Sequence, residues 1–78
     1  MDTFAHYLLD LGHLLKREAL NVKLEHSQAE SGDRAFLDGK LLAYNEVLSL
    51  MLRQAAAFQL DPRSLGLDGF DPDNDLYN

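Results

Sequence analysis

Leu37-Asp38-Gly39-Lys40-Leu41-Leu42-Ala43-Tyr44-Asn45-Glu46-Val47-Leu48-Ser49-Leu50-Met51-Leu52-Arg53-Gln54-Ala55-Ala56-Ala57-Phe58 is the stretch that decides the fold. Within it Leu37, Leu41, Tyr44, Leu48, Met51, Ala55 and Phe58 recur at alternating intervals of four and three residues. That spacing holds them on one side of an α-helix and makes the seam by which a long helix lies against other helices. Phe36, Ala43, Val47, Leu50 and Ala57 form a second apolar strip beside it. A single partner helix cannot hide both. The polar edge is narrow, with Asp38, Asn45, Glu46, Ser49 and Arg53, and Gly39 and Ala43 allow a backbone to approach closely.

Upstream, Glu30-Ser31-Gly32-Asp33 supplies a turn, with Gly32 suited to a left-handed conformation and Ser31 or Asp33 to capping the next helix. So short a connection makes antiparallel neighbours. The segment before it repeats the helical pattern in Phe4, Leu8, Leu11, Leu15, Val22 and Ala29, with Tyr7, Leu14 and Ala19 alongside and Asp2 or Thr3 as cap. Gly12 interrupts that pattern and weakens the helix by about 1 kcal/mol relative to Ala, which a close crossing would justify. Downstream, Asp61 caps a short turn or helical stub that begins at Pro62 and ends at Gly66. The reading is all-α, with a helical hairpin over 1–60. Helix one covers about 2–29, a turn 30–33 and helix two about 33–59. A short turn and acidic tail occupy 61–78.

The chain has 78 residues and no cysteine. A core of this size is thin, and neither a disulfide nor a thiolate metal site can reinforce it. Oligomerisation is the remaining route, so the hairpin is expected to pair into a homodimeric four-helix bundle. Leu37, Leu41, Tyr44, Leu48, Met51, Ala55, Phe58, Ala43, Val47 and Leu50 are its candidate self-association residues. The N-terminus, Met-Asp-Thr-Phe-Ala-His, lacks the basic and apolar regions of a signal peptide, and no apolar run is long enough to span a bilayer. A cytoplasmic protein without a membrane partner is expected.

Thirteen acids face seven bases, and five of the acids follow residue 60. Clustered cations, the mark of a phosphate-binding surface, are missing. An acidic tail is a solubilising segment or a handle for a basic partner. Its apolar members Phe70, Leu76 and Tyr77 are candidates for partner binding, and the last residues are mobile unless one of them docks. Asp71-Pro72-Asp73-Asn74-Asp75 matches the first ligand positions of a calcium loop, but Leu76 stands where that loop needs glycine.

No cofactor is expected. His6, Asp10 and His13 share a helix face at i, i+4, i+7, a spacing that can hold a zinc-like ion, though the plain reading is a solvated surface. His26 falls on the apolar side near Glu18 and Glu25, and reads as a half-buried histidine bonded to a glutamate or as a ligand-facing group. These four residues are the weak metal candidates. A Glu-x-x-His di-iron pattern is missing. Ser27, Ser31, Ser49 and Ser64 sit in no nucleophile setting, there is no glycine-rich phosphate loop, and Tyr44 reads as a packed residue. An enzyme is not expected.

Gly39-Lys40-Leu41-Leu42-Ala43-Tyr44-Asn45-Glu46-Val47-Leu48-Ser49-Leu50-Met51, with Gln54-Ala55 and Phe58, resembles small bacterial proteins of unknown function built on an Ala-Tyr-x-Glu-Val-Leu-Ser core. The resemblance covers helix two and, loosely, the Asp-Pro-Asp tail, and it implies no site residues. In plan alone, a helical hairpin with an acidic tail is similar to plasmid copy-number proteins of the Rop type, dimeric four-helix bundles that bind paired RNA loops. The leading expectation is a self-associating, non-enzymatic interaction module acting as adaptor, regulator or accessory subunit. The alternatives are a metal- or ligand-binding bundle using the helix-one histidines, and a Rop-like nucleic-acid binder using Lys16, Arg17, Lys23 and Arg34.

Overall fold

A computed structural model describes residues 2–77; the outer ends of the two segments read from sequence, residues 1 and 78, lie outside the described residues. Two long helices, α1 (Thr3–Gln28) and α2 (Ser31–Ala57), form an antiparallel hairpin. A 3-10 turn (Pro62–Leu65) and a short helix α3 (Pro72–Tyr77) follow, and no strand occurs among the described residues. The particle measures 44 × 22 × 17 Å, two helices wide with a strap laid over one flank.

The helix ends follow local chemistry. Asp2 caps α1, its carboxylate accepting the Ala5 backbone N–H at 2.8 Å. The hairpin connection differs from the expected glycine turn. Ala29 and Glu30 are both extended, and Gly32 lies inside α2 with no left-handed backbone. Two extended residues already reverse the chain, so no positive φ is needed. Neither Ser31 nor Asp33 caps; Glu30 occupies the cap position without a side-chain bond, and its carbonyl accepts the Asp33 N–H at 3.0 Å.

At its other end α2 closes in a Schellman arrangement: Leu60 N–H donates to the Ala55 carbonyl at 2.7 Å and Gln59 N–H to that of Ala56 at 3.1 Å. Gln59 takes the left-handed position, φ 57°, that glycine usually fills. Asp61 then caps the 3-10 turn, Pro62 opens it, and left-handed Gly66 closes it.

The tail departs most from expectation. Leu65, Leu67 and Leu76 are buried and join Ala19, Val22, Leu37, Leu41, Leu48 and Ala55 in one core. Leu76 is only 1% exposed, so it is not a surface residue awaiting a partner; Phe70 is half-buried, and Tyr77 alone of that trio stays exposed. The would-be calcium loop is a helix start. Asp71 precedes Pro72, and the Asp75 carboxylate reaches back to accept the Asp71 N–H at 2.9 Å.

Gly12 explains how the strap lies so close. A β-carbon built on Gly12 would stand 1.6 Å from the Leu65 carbonyl oxygen, so the turn's backbone rests on α1 where α1 has no side chain. The close approach inferred from Gly12 is made by this turn and not by a crossing helix. Gly66 answers it, because a β-carbon there would meet the His13 ring at 2.2 Å. Farther along, Lys23 Nζ donates to the Asp75 carbonyl at 2.7 Å and Asn45 Nδ2 to Asp73 Oδ1 at 2.9 Å. Lys16 sits 5.8 Å from the Phe70 ring centre.

Candidate functional site

The strap covers one flank of the hairpin and leaves the other bare. Residues two apart on an α-helix project about 160° from each other. Asn45 under the strap and Val47 are such a pair on α2; Gly12 and Leu14 are such a pair on α1. Val47 and Leu14 therefore point away from the strap, and both are exposed.

The bare flank is apolar along α2 and the first half of α1. Beyond Leu14 the same face of α1 carries the exposed Glu18 and Glu25, and Glu25 lines a hollow with Asp33 and Phe36. From α2 it takes Phe36, Ala43, Val47, Leu50 and Phe58, and from α1 Phe4, Tyr7 and Leu14, every one of them exposed. Phe36 is 70% exposed, Phe58 73% and Phe4 85%. Phe4 belongs to the expected core stripe, but it lies one turn before Leu8, at the level where α2 ends, and has no helix to pack on. Leu15 with Lys40, Ala43, Tyr44 and Val47 lines a groove of about 270 Å³ between the helices. A second apolar notch, about 190 Å³, lies at the end of the hairpin between Leu8, Met51, Phe58, Leu60 and the strap's own Leu65. Lys40 extends over the Phe36 ring, 5.9 Å from its centre, and is a charge set among these apolar groups.

This divides the residues that the sequence assigns to self-association. Leu37, Leu41, Leu48 and Ala55 are buried inside the chain's own core, with Tyr44 and Met51 half-buried beside them. The buried four hold α2 to α1 and to the strap, and cannot reach a second chain. Ala43, Val47, Leu50 and Phe58 remain at the surface and carry the candidate site, joined by Phe36. The contribution of α1, through Phe4, Tyr7 and Leu14, depends on which flank the strap covers, and periodicity does not reveal that.

The polar candidates come together less. His6, Asp10 and His13 line one shallow hollow with Thr3, Tyr7 and Leu9. Among the described residues no group of three or more His, Cys, Asp or Glu side chains is placed to hold a metal ion. His26 pairs with neither Glu18 nor Glu25. Its Nε2 lies 2.6 Å from Asp38 Oδ1, across the hairpin. The antiparallel register sets Asp38 beside His26, whereas Glu18 and Glu25 stand exposed on α1. This pair borders a hollow of about 290 Å³ with Lys23, Ser27, Leu41, Leu76 and Tyr77, at the end of the strap.

One resolved electrostatic perturbation lies at the strap's entrance. The Arg63 guanidinium, followed by the Arg63 backbone N–H, holds the Asp61 carboxyl below the usual carboxylate range. Asp61 in turn raises Arg63. Both groups are exposed, and the pair shapes the turn, not a reactive centre. No helix of the described chain is long and apolar enough to cross a membrane. Compared with family models, curated proteins and solved structures, the sequence finds no significant match in any of the three.

Proposed function

We propose that the protein is a non-enzymatic helical interaction module that self-associates through the bare flank as a homodimeric four-helix bundle, acting as an adaptor, regulator or accessory subunit. The observation that carries this reading is the contrast between the two flanks. The chain folds its own tail over one and leaves the other apolar along α2 and the first half of α1.

Magnitudes favour an interface. Phe4, Tyr7, Leu14, Phe36, Val47, Leu50 and Phe58 together expose on the order of 800 Å², close to one partner's share of a standard protein interface. Charge points the same way. Residues 2–59 carry eight acids and six bases, while the strap carries five acids and one base. Two copies meeting through their bare flanks keep both acidic straps outside the contact. A protein partner is also favoured over nucleic acid, because Lys16 and Lys23, two of the four cations that a nucleic-acid site would use, engage Phe70 and Asp75 of the strap.

Val47→Glu tests the reading. Val47 is exposed in the single chain, so a carboxylate there leaves the hairpin intact but puts charge in the middle of the proposed contact. The variant is expected to keep its helical circular dichroism and to elute from gel filtration as a smaller particle than the native protein. Unchanged elution would count against the bare flank as the contact.

A further inference from the structure

We infer that the second copy lies antiparallel on the first, α2 against α2, about a two-fold axis at Val47. This rests on the self-association proposed above and gives it a geometry. An isologous contact must be complementary to itself, so residues equally far from the axis on either side are the ones that meet. The strip around Val47 has that property. Phe36 and Phe58 each lie eleven residues from Val47, Lys40 and Gln54 seven, and Ala43 and Met51 four.

In an antiparallel pair each of these meets its counterpart on the other chain. Phe36 stacks on Phe58, joining two of the most exposed aromatic rings of the molecule. Lys40 meets the neutral amide of Gln54, whose carbonyl accepts from the ammonium group. Ala43 makes room for Met51, a small residue facing a large flexible one. A parallel pair would stack aromatic on aromatic equally well, but it is worse at two levels: Lys40 would meet Lys40 with like charges together, and Ala43 would meet Ala43 across a gap. On α1 the axis passes near Leu15, which shares a groove with Ala43, Tyr44 and Val47.

The native chain has no cysteine, so single substitutions give an unambiguous cross-linking test. Lys40→Cys and Gln54→Cys replace exposed residues, and Val47→Cys places a thiol on the axis. Each is oxidised under mild conditions after the molar mass of the reduced protein has been checked by light scattering. In the inferred dimer, residue 40 is about 21 Å from its own copy, beyond the roughly 7 Å that a disulfide tolerates between α-carbons. K40C alone and Q54C alone are therefore expected to stay uncrosslinked, their equimolar mixture to give at least tenfold more covalent dimer than either, and V47C to cross-link with itself. A dimer in which K40C links to K40C, or in which neither the mixture nor V47C links, would overturn the antiparallel axis and leave self-association standing. A native protein that stays monomeric would overturn self-association itself.

Discussion

Gly12 and Leu65 are separated by most of the chain, yet the Leu65 carbonyl oxygen occupies the place where a methyl group on Gly12 would stand, 1.6 Å from that β-carbon position. This contact joins the strap to α1. It converts an apparent weakness of the first helix into the seat of the C-terminal segment, and it fixes which flank of the hairpin is covered. Everything proposed about the other flank follows from that choice.

Two alanine substitutions should therefore act in opposite directions. Gly39 also lies inside a helix, but a β-carbon there meets nothing within 4 Å. Gly39→Ala is expected to stabilise the protein by up to about 1 kcal/mol through helix propensity alone. Gly12→Ala gains the same propensity but must push the Leu65 backbone away, for a net loss of about 2–3 kcal/mol. Urea unfolding of the two variants beside the native chain measures both signs. Stabilisation by Gly12→Ala would mean that the turn does not rest on α1.

Leu76 separates a docked strap from a loose acidic tail. Truncating a side chain buried to this degree costs about 2–4 kcal/mol, the lost transfer energy plus the cavity left behind. Leu76→Ala is expected to lower the unfolding midpoint accordingly, while Tyr77→Ala, next to it but half exposed, should cost much less. Equal, small effects would place the last helix off the core.

Gln59 carries a backbone strain that glycine would relieve. Its φ of 57° lies in the left-handed region, where an L side chain crowds the following carbonyl. Gln59→Gly keeps both closing bonds of α2, Leu60 to Ala55 and Gln59 to Ala56, and is expected to add roughly 0.5–1 kcal/mol of stability. Thermal melting at matched protein concentration is the check. A lowered midpoint would show that the Gln59 side chain contributes more than its backbone costs.

Asp61 gives a dependence on pH with a definite sign. A carboxyl held below its unfolded value contributes stability above the ordinary aspartate range, and that contribution is lost as pH falls through the lowered folded value. Arg63→Gln removes the side-chain bonds at 3.1 and 2.8 Å but keeps the backbone N–H bond at 2.9 Å. The Asp61 carboxyl carbon, followed by NMR, is expected to titrate at a higher pH in that variant, with part of the depression retained. An identical titration in both proteins would remove the guanidinium as the main cause.

What the sequence makes legible is what periodicity reports. The four-and-three spacing from Leu37 to Phe58 reads as a long helix and is one, and Gly32 lies too near an antiparallel connection for the hairpin to be missed. The strap has no such signal. Leu65, Leu67 and Leu76 are unevenly spaced among glycine, proline and aspartate, and their burial depends on Gly12, more than fifty residues upstream. The isolated glycine in α1 is the readable clue, but it indicates a close approach without naming the visitor. The His26 pair is similarly hidden. Glu25 is adjacent in sequence, yet Asp38 is adjacent in space, and only the hairpin register decides between them. For the candidate surface, most of the α2 half is written in the second apolar strip, whereas Phe58 reads from sequence as part of the buried seam. The α1 half becomes identifiable only once the strap has taken its side.

The most direct test is the molar mass of the native chain in solution, by light scattering across a concentration series. Pairing through the bare flank predicts a mass twice that of the 8.8 kDa chain, with dissociation only on dilution. A mass that stays at 8.8 kDa throughout, with the helices fully formed, would contradict self-association and leave the apolar flank to a different protein.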